Sequence, residues 1–115
     1  MSVNKVILLG YVGKDPEMKE FESGKVAKMT IATTEKGYKL KSGKEIPDRT
    51  EWHNIMLWGG LAEVAEKYIN KGMQVYIEGK IQTRSWADKD GVTHYTTEVV
   101  ASDLQMLGKR EQGAK

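Results

Sequence analysis

The stretch that most constrains the fold runs from Arg49 to Trp58 and alternates two kinds of side chain. Successive side chains of a β-strand point to opposite faces, so residues two apart share a face. One face then carries Trp52, Asn54, Met56 and Trp58, and the other carries His53, Ile55 and Leu57. The aliphatic side is predicted to face a core. The tryptophans are either further core residues or an exposed platform for a ligand, and their spacing alone leaves both open.

Alternation and turn signals elsewhere predict four further strands. In chain order they cover residues 3–12, 26–34, 73–86 and 93–101. Gly10 and Gly13 indicate a bulge or sharp bend in the first of them, as the coiled strand of a small barrel needs. The strand that ends near Trp86 places that tryptophan among charged residues, which favours an exposed ring over a buried one.

Helical spacing of apolar residues predicts one helix over about residues 61–70, with Gly72 as its stop. The polar stretch 35–47, with four lysines between positions 36 and 44, predicts a long hairpin loop. The order is therefore three strands, a helix and two strands. An all-β fold with one helix, built as a five-stranded OB-fold barrel with the helix between strands 3 and 4, has this order, and OB-folds bind oligonucleotides and oligosaccharides.

Composition and size exclude several classes of protein. The chain has no cysteine, which removes disulfide scaffolds, cysteine nucleophiles and thiolate zinc sites. His53 and His94 have no partner at metal-binding or catalytic spacing, so no cofactor and no enzyme is predicted. The apolar runs are too short to span a membrane, and the cytoplasm is the expected location. A formal charge of +2 means that any nucleic-acid footprint must be local.

Short motifs follow one another along residues 3–107. They are Val3-Asn4-Lys5-Val6-Ile7-Leu8, Gly13-Lys14-Asp15-Pro16-Glu17, Thr50-Glu51-Trp52-His53, Leu61-Ala62-Glu63-Val64-Ala65, Lys71-Gly72-Met73-Gln74-Val75-Tyr76-Ile77-Glu78-Gly79, Thr83-Arg84-Ser85-Trp86 and Tyr95-Thr96-Thr97-Glu98-Val99-Val100. In this order and spacing the chain resembles bacterial single-stranded DNA-binding proteins. The resemblance implies a homotetramer of OB-folds that binds single-stranded DNA without reading its sequence and protects it during replication, recombination and repair. It also implies one OB-fold domain over 1–107 and a short, disordered polar tail over 108–115.

The resemblance also implies the site residues. The stacking aromatics correspond to Trp52, Trp58, Trp86 and Tyr38, the phosphate contacts to Lys5, Lys41, Lys71 and Arg84, and subunit-interface positions to His53 and Gln74. Stacking suits a sequence-indifferent binder because every base has a π-face. Three positions depart from the family. Trp58 stands where phenylalanine is usual, Tyr38 where tryptophan is usual in the well-known members, and Gly60 where a lysine is common.

The end of the sequence departs further from the family. Its members usually continue into a flexible linker and an acidic tip that recruits replication and repair proteins, whereas this sequence ends in Gln112-Gly113-Ala114-Lys115. We therefore expect either a truncated chain or a naturally short member. Recruitment of partners through such a tail is not predicted for it.

Two other functions stay open at this point. One is another OB-fold binding module, either an accessory protein of replication restart or an RNA-binding domain. The other is a nuclease on the same barrel, which would need carboxylates grouped around a metal and a positioned base. Asp88 and Asp90 are a turn pair, and the other acidic residues do not group, so the enzyme is disfavoured.

Overall fold

A computed structural model describes residues 1–109 as eight strands and one helix. In chain order they are β1 (Val6–Val12), β2 (Glu17–Phe21), β3 (Gly24–Glu35), β4 (Tyr38–Lys39), β5 (Glu45–Ile46), β6 (Arg49–Trp58), α1 (Gly60–Tyr68), β7 (Met73–Ala87) and β8 (Thr93–Lys109). Of the predicted tail, 108–115, the residues after position 109 lie outside the described part of the chain.

Five strands close a barrel. The sheet order is β1-β7-β8-β6-β3-β2, and a further pairing of β1 with β3 completes the ring. The β6–β8 pair is parallel and the other pairs are antiparallel. This is the predicted OB-fold, a five-stranded Greek-key barrel. No helix of residues 1–109 is long and apolar enough to cross a bilayer; α1 has only nine residues.

The prediction included five of the eight strands. The helix lies between the sixth and seventh strands of the chain rather than the third and fourth. Three short strands account for the difference. β2 pairs along the outer edge of β3, and β4 pairs with β5 inside the segment predicted as a loop. Among the five barrel strands alone, the helix still follows the third.

The alternation of β6 divides core from surface: the aliphatic face lies in the core as predicted, and the tryptophan face, which spacing left open, lies on the surface. Ile55 is 1% exposed and Leu57 fully buried, whereas Trp52 is 59% and Trp58 41% exposed. Ala62 and Ala65 of α1 are buried against the same core, which the helix reaches through β3, β6 and β8. Full burial of one such aliphatic side chain is worth about 1.5–3 kcal/mol, so the inward face of β6 holds the strand in place and leaves the outward face free for other contacts.

Gly10 allows β1 to close the ring. β1 pairs with β7 as far as Tyr11, and Tyr11 and Val12 pair with β3 on the other side. A Cβ atom on Gly10 would lie 2.3 Å from the backbone oxygen of Ala32. The two strands therefore approach at a distance that only glycine permits, where the sequence predicted a bend.

β7 and β8 continue beyond the barrel as a hairpin, the arm (residues 81–98). Residues of β7 are buried or half-buried up to Gly79 and exposed from Lys80 onward. Ile81, expected on the core side, is exposed because the strand has already left the barrel there. The Asn4 side chain marks the exit, since it both donates to and accepts from the backbone of Ile81 at 2.9 Å.

Candidate functional site

A groove runs between the arm and the outer face of the barrel. β2, β3 and β6 form one wall, and β7 and β8 of the arm form the other. We call it the aromatic groove. Its rings and charges come from Lys19, Phe21, Lys28, Trp58, Arg84 and Glu98. Rings and charged groups from five strands, distant in the sequence, thus meet in one concave surface.

Trp58 is positioned by the sheet beneath it. Its strand partner is Val26, which is fully buried on the outer face of β3 and pairs on its other side with Lys19 of β2. The Trp58 ring lies beside that of Phe21, with centroids 6.1 Å apart and planes inclined by 34°. The indole at the end of β6 is therefore held by Val26 and Phe21 and is still partly open to solvent.

Trp52 lies six residues earlier on the same face, about 20 Å away along the strand. It pairs with Ala32, and its ring covers Gly13, where a Cβ atom would lie 2.4 Å from the indole. Gly13 therefore has a second use that its sequence signal did not indicate: it makes room for the indole. The ring rests on backbone and keeps its other face exposed.

Trp86 lies on the arm and is held by two side chains. Its ring stacks on His94 with centroids 4.6 Å apart, and its Nε1 donates to Thr96 Oγ1 at 3.0 Å. His94 Nε2 in turn lies 2.7 Å from Asp88 Oδ2. The hydrogen bond from His94, followed by that from the Val92 backbone, lowers the pKa of Asp88 below its usual value. Trp86 is thus oriented before any ligand binds.

Arg84 points its guanidinium at a buried carboxylate in the groove. Arg84 Nε donates to Glu98 Oε1 at 2.9 Å, and Glu98 is only 3% exposed. A buried carboxylate needs such a partner because burial without one is costly. The bond uses Nε and leaves the N–H groups of the two terminal nitrogens, which match a phosphate in geometry.

Tyr38 and Lys41 lie on the β4–β5 hairpin, which we call the flap (residues 36–48). Both side chains are exposed. The flap is tied down at its base by a bond from the Gly37 backbone nitrogen to Asp48 Oδ1, and its tip is a turn between Leu40 and Lys44. The structure does not bring either residue into the aromatic groove, since no flap residue lines it.

Lys5 and Lys71 lie at separate places on the barrel. Lys5 Nζ is 3.3 Å from Glu78 Oε1, and Tyr76 also donates to Glu78 at 2.6 Å. These two contacts, Tyr76 first, lower the pKa of Glu78. Lys71 follows the helix, and its backbone nitrogen donates to Asp15 Oδ1. That bond holds Lys71 close to the Gly13 segment on which Trp52 rests.

His53 and Gln74 are not brought together within one chain. His53 lies on the inward side of β6 near the barrel end, with Nε2 2.8 Å from Thr33 Oγ1. Gln74 is on the outward side of β7, and β8 lies between β6 and β7 in the ring. An interface that uses both would have to contact two places on each subunit.

Three residues of the groove and the arm were missed by the sequence interpretation: Phe21, His94 and Glu98. Phe21 ends a short strand whose residues, 17–22, gave no clear period. Glu98 and Arg84 are 14 residues apart, and only the register of β7 on β8 makes them neighbours. Strand alternation puts Glu98 on the face opposite the core residue Val99, so no signal in the sequence marked its carboxylate as buried.

Comparison with known proteins gives one consistent result. The family model described as the single-strand binding protein family matches residues 3–107. A single-stranded DNA-binding protein of Bacteroides thetaiotaomicron is 50% identical over 111 residues, which cover 96% of this chain and 69% of that protein. Single-stranded DNA-binding protein 1 of Chlorobaculum tepidum is 51% identical over 113 residues, covering 96% and 68%.

A solved structure agrees with both. The Plasmodium falciparum SSB in complex with single-stranded DNA superposes with a TM-score of 0.81 at 32% identity. The match covers 93% of this chain and 96% of that one. The likeness therefore extends over the whole barrel and the arm rather than over one motif.

Proposed function

The chain belongs to the single-strand binding protein family, and from that premise we propose that it binds single-stranded DNA without reading its sequence. Bases stack on Trp52, Trp58, Trp86 and Tyr38, and phosphates contact Lys5, Lys41, Lys71 and Arg84. The bound strand is thereby protected during replication, recombination and repair. The Plasmodium falciparum SSB, which this chain resembles, is seen in complex with single-stranded DNA.

The observation that carries the proposal is the exposure of the tryptophans on the outward face. Three indoles lie on the solvent side of β6 and β7, each exposed by two fifths or more, and each is held by neighbouring backbone or rings. Exposed tryptophans held in this way add little to the stability of the fold. They offer flat surfaces on which bases stack, at roughly 1–3 kcal/mol per base.

Two rival functions are compatible with an OB-fold barrel: RNA binding and nuclease activity. RNA-binding OB-folds also stack bases on aromatic rings, so the choice of DNA rests on the family. Against a nuclease, residues 1–109 contain no group of three histidine or acidic residues that could hold a metal. The proposed protein is a binding module.

Assembly and location belong to the same proposal. The chain forms a homotetramer in the cytoplasm, associated with the DNA of the nucleoid, with His53 and Gln74 at subunit contacts. Ile7 and Leu9, which are exposed on the outward face of β1, support an interface there, because each leaves aliphatic surface in water in the single chain.

Titration with a thymidine oligonucleotide tests the proposal. Tryptophan emission is followed while light scattering measures the mass of the complex. We expect strong quenching that saturates, at the mass of a tetramer with DNA. An RNA oligonucleotide of the same length should compete weakly, and the DNA should stay intact with Mg²⁺ or Ca²⁺ present. Unchanged emission at saturating DNA would overturn the stacking surface, and cleavage of the DNA would overturn the binding-module assignment.

A further inference from the structure

A second exposed ring lies beside Trp58 and has no role in the set of residues proposed above. Phe21 ends β2 and is 53% exposed, more than Trp58 itself. It is the one phenylalanine of the sequence. Phenylalanine has no polar atom to hydrate, so a half-exposed ring at the edge of a groove leaves apolar surface without a partner in the free protein.

We propose that Phe21 is a further base-stacking residue, and that Phe21 and Trp58 together form a two-ring surface for neighbouring bases of the strand. The inference rests on the proposed function. It extends the path of the DNA from β6 across β3 to β2. No residue of β2 belongs to the set carried over from the family.

The geometry of the two rings decides how they are used. A base between two rings needs stacking contacts of about 3.5–4.0 Å on each side, about 7–8 Å in all. The centroids are 6.1 Å apart and the planes are inclined by 34°. The rings therefore contact each other and leave no room between them. Each presents its remaining face to the groove, so the pair takes one base on each ring.

The surroundings of Phe21 suit a nucleotide. Lys19 and Lys28 line the same groove, and Arg84 lies on its opposite wall, so cations are available for the phosphates on either side. The strand partner of Phe21 is Gly24, which has no side chain to cover the ring. A Cβ atom built on Gly24 would meet nothing within 4 Å, so the turn is open on this side.

A purely supporting role for Phe21 predicts a different environment. A ring that only braced Trp58 would be covered by it and by its neighbours, as Val26 is, since bracing requires contact on most of the ring. Phe21 contacts Trp58 and stays more than half exposed. The open area of its ring is what a base would cover.

A tryptophan reporter tests the contact directly. Trp52, Trp58 and Trp86 are changed to phenylalanine, which keeps rings at the three positions, and Phe21→Trp then supplies the only indole. We expect a thymidine oligonucleotide to remove most of the emission. The matched control carries Tyr68→Trp in the same background, because Tyr68 is an exposed ring on α1 outside the groove, and its emission should not change. Unchanged emission from position 21, while labelled DNA shows binding by anisotropy, would overturn the inference.

An affinity measurement on the otherwise unmodified protein separates stacking from bracing. Phe21→Leu keeps an apolar side chain against Trp58 but has no π-face. We expect it to weaken binding by about fivefold or more, the lower end of a lost stack. The salt dependence should stay as in the unmodified protein because no charge changes. Binding as tight as that of the unmodified protein would overturn the inference, whereas failure of the unmodified protein to bind would overturn the proposed function instead.

Discussion

At the scale of single residues, the pairing of Arg84 with Glu98 changes what this cation can contribute to DNA binding. The carboxylate is buried and lies 2.9 Å from Arg84 Nε, so the pair together has no net charge. Arg84 can still orient a phosphate through its terminal nitrogens. Its contribution to counterion release is reduced, because the buried carboxylate repels the same phosphate.

We predict that Glu98→Gln tightens DNA binding and steepens its salt dependence. The amide oxygen can still accept the bond from Arg84 while the opposing charge is removed, which adds up to one phosphate contact, about 0.7 in the slope of log affinity against log salt. The measurement is an affinity series over salt concentration. Glu63→Gln, an exposed glutamate of α1 removed from the groove, makes the same charge change and should act less. Weaker binding by Glu98→Gln would mean that the charge of Glu98 is needed to position Arg84.

The residues themselves were predictable to different degrees. The period of two in β6 was enough to assign Ile55 to the core, because strand geometry alone dictates which residues share a face. It left Trp52 open between core and surface, and the structure shows that its ring is exposed. The ion pair of Arg84 was not predictable, since it depends on a register across 14 residues. Contacts that depend on strand register can be identified only in the structure.

At the scale of elements, the arm is stiffened at its tip by one aspartate. Asp88 Oδ1 accepts from the backbone nitrogens of Asp90 and Val92, and its Oδ2 contacts His94, on which Trp86 stacks. The turn and the stacking ring are thus linked through a single carboxylate. Its charge should matter for the order of the tip and for the position of Trp86.

The lowered pKa of Asp88 sets the direction of a pH effect. A carboxyl group whose pKa is lower in the folded state contributes stability above its unfolded value, about 3.9, and loses it as the pH falls through the folded value. We therefore predict that Asp88→Ala speeds exchange of the Asp90 and Val92 amide hydrogens at neutral pH. The difference from the unmodified protein should disappear in acid, below the folded pKa.

Amide hydrogen exchange followed by NMR at several pH values measures this. Asp90→Ala, in the same turn, is the matched control and should leave the protection of the Val92 amide unchanged. Equal protection in Asp88→Ala and the unmodified protein at neutral pH would show that the carboxylate does not order the tip.

Elements were predicted better when they were long. The five barrel strands and α1 have clear periods, and the Asp88–Gly91 turn signal located the arm hairpin. β2 is a short edge strand held by pairing to β3, and β4 and β5 are two residues each. Such strands form because the turns bring them together, so their own residues do little to predict them.

At the scale of the whole molecule, the outward face of β1 predicts assembly. Ile7 and Leu9 are both more than half exposed on one strand, and Tyr76 of β7 lies beside Leu9 in the register. We predict that Ile7→Glu lowers the mass measured by light scattering from that of the tetramer, because a charge would have to be buried at the interface. The fold should survive, since position 7 faces away from the core.

Val92→Glu provides the control for that experiment. Val92 is also an exposed aliphatic residue, but it lies at the tip of the arm. Its substitution should leave the mass unchanged. A full tetramer with Ile7→Glu would place the interface elsewhere on the barrel. Composition could not predict assembly, because Ile7 and Leu9 are recognised as an exposed pair only once the outward face of β1 is known.

The account as a whole rests on stacking rather than on net charge. The chain has a formal charge of only +2, and two of its proposed phosphate contacts, Lys5 and Arg84, are already paired with carboxylates. Counterion release should therefore supply a small share of the binding free energy, and the rings a large one.

The most direct measurement is the affinity for a thymidine oligonucleotide over a range of salt concentrations, in the unmodified protein and in Trp52→Ala. We predict a shallow salt slope that is the same for both proteins. Trp52→Ala should bind more weakly at every salt concentration, by about 1–3 kcal/mol for one lost stack. A steep salt slope together with little loss of affinity in Trp52→Ala would contradict the account.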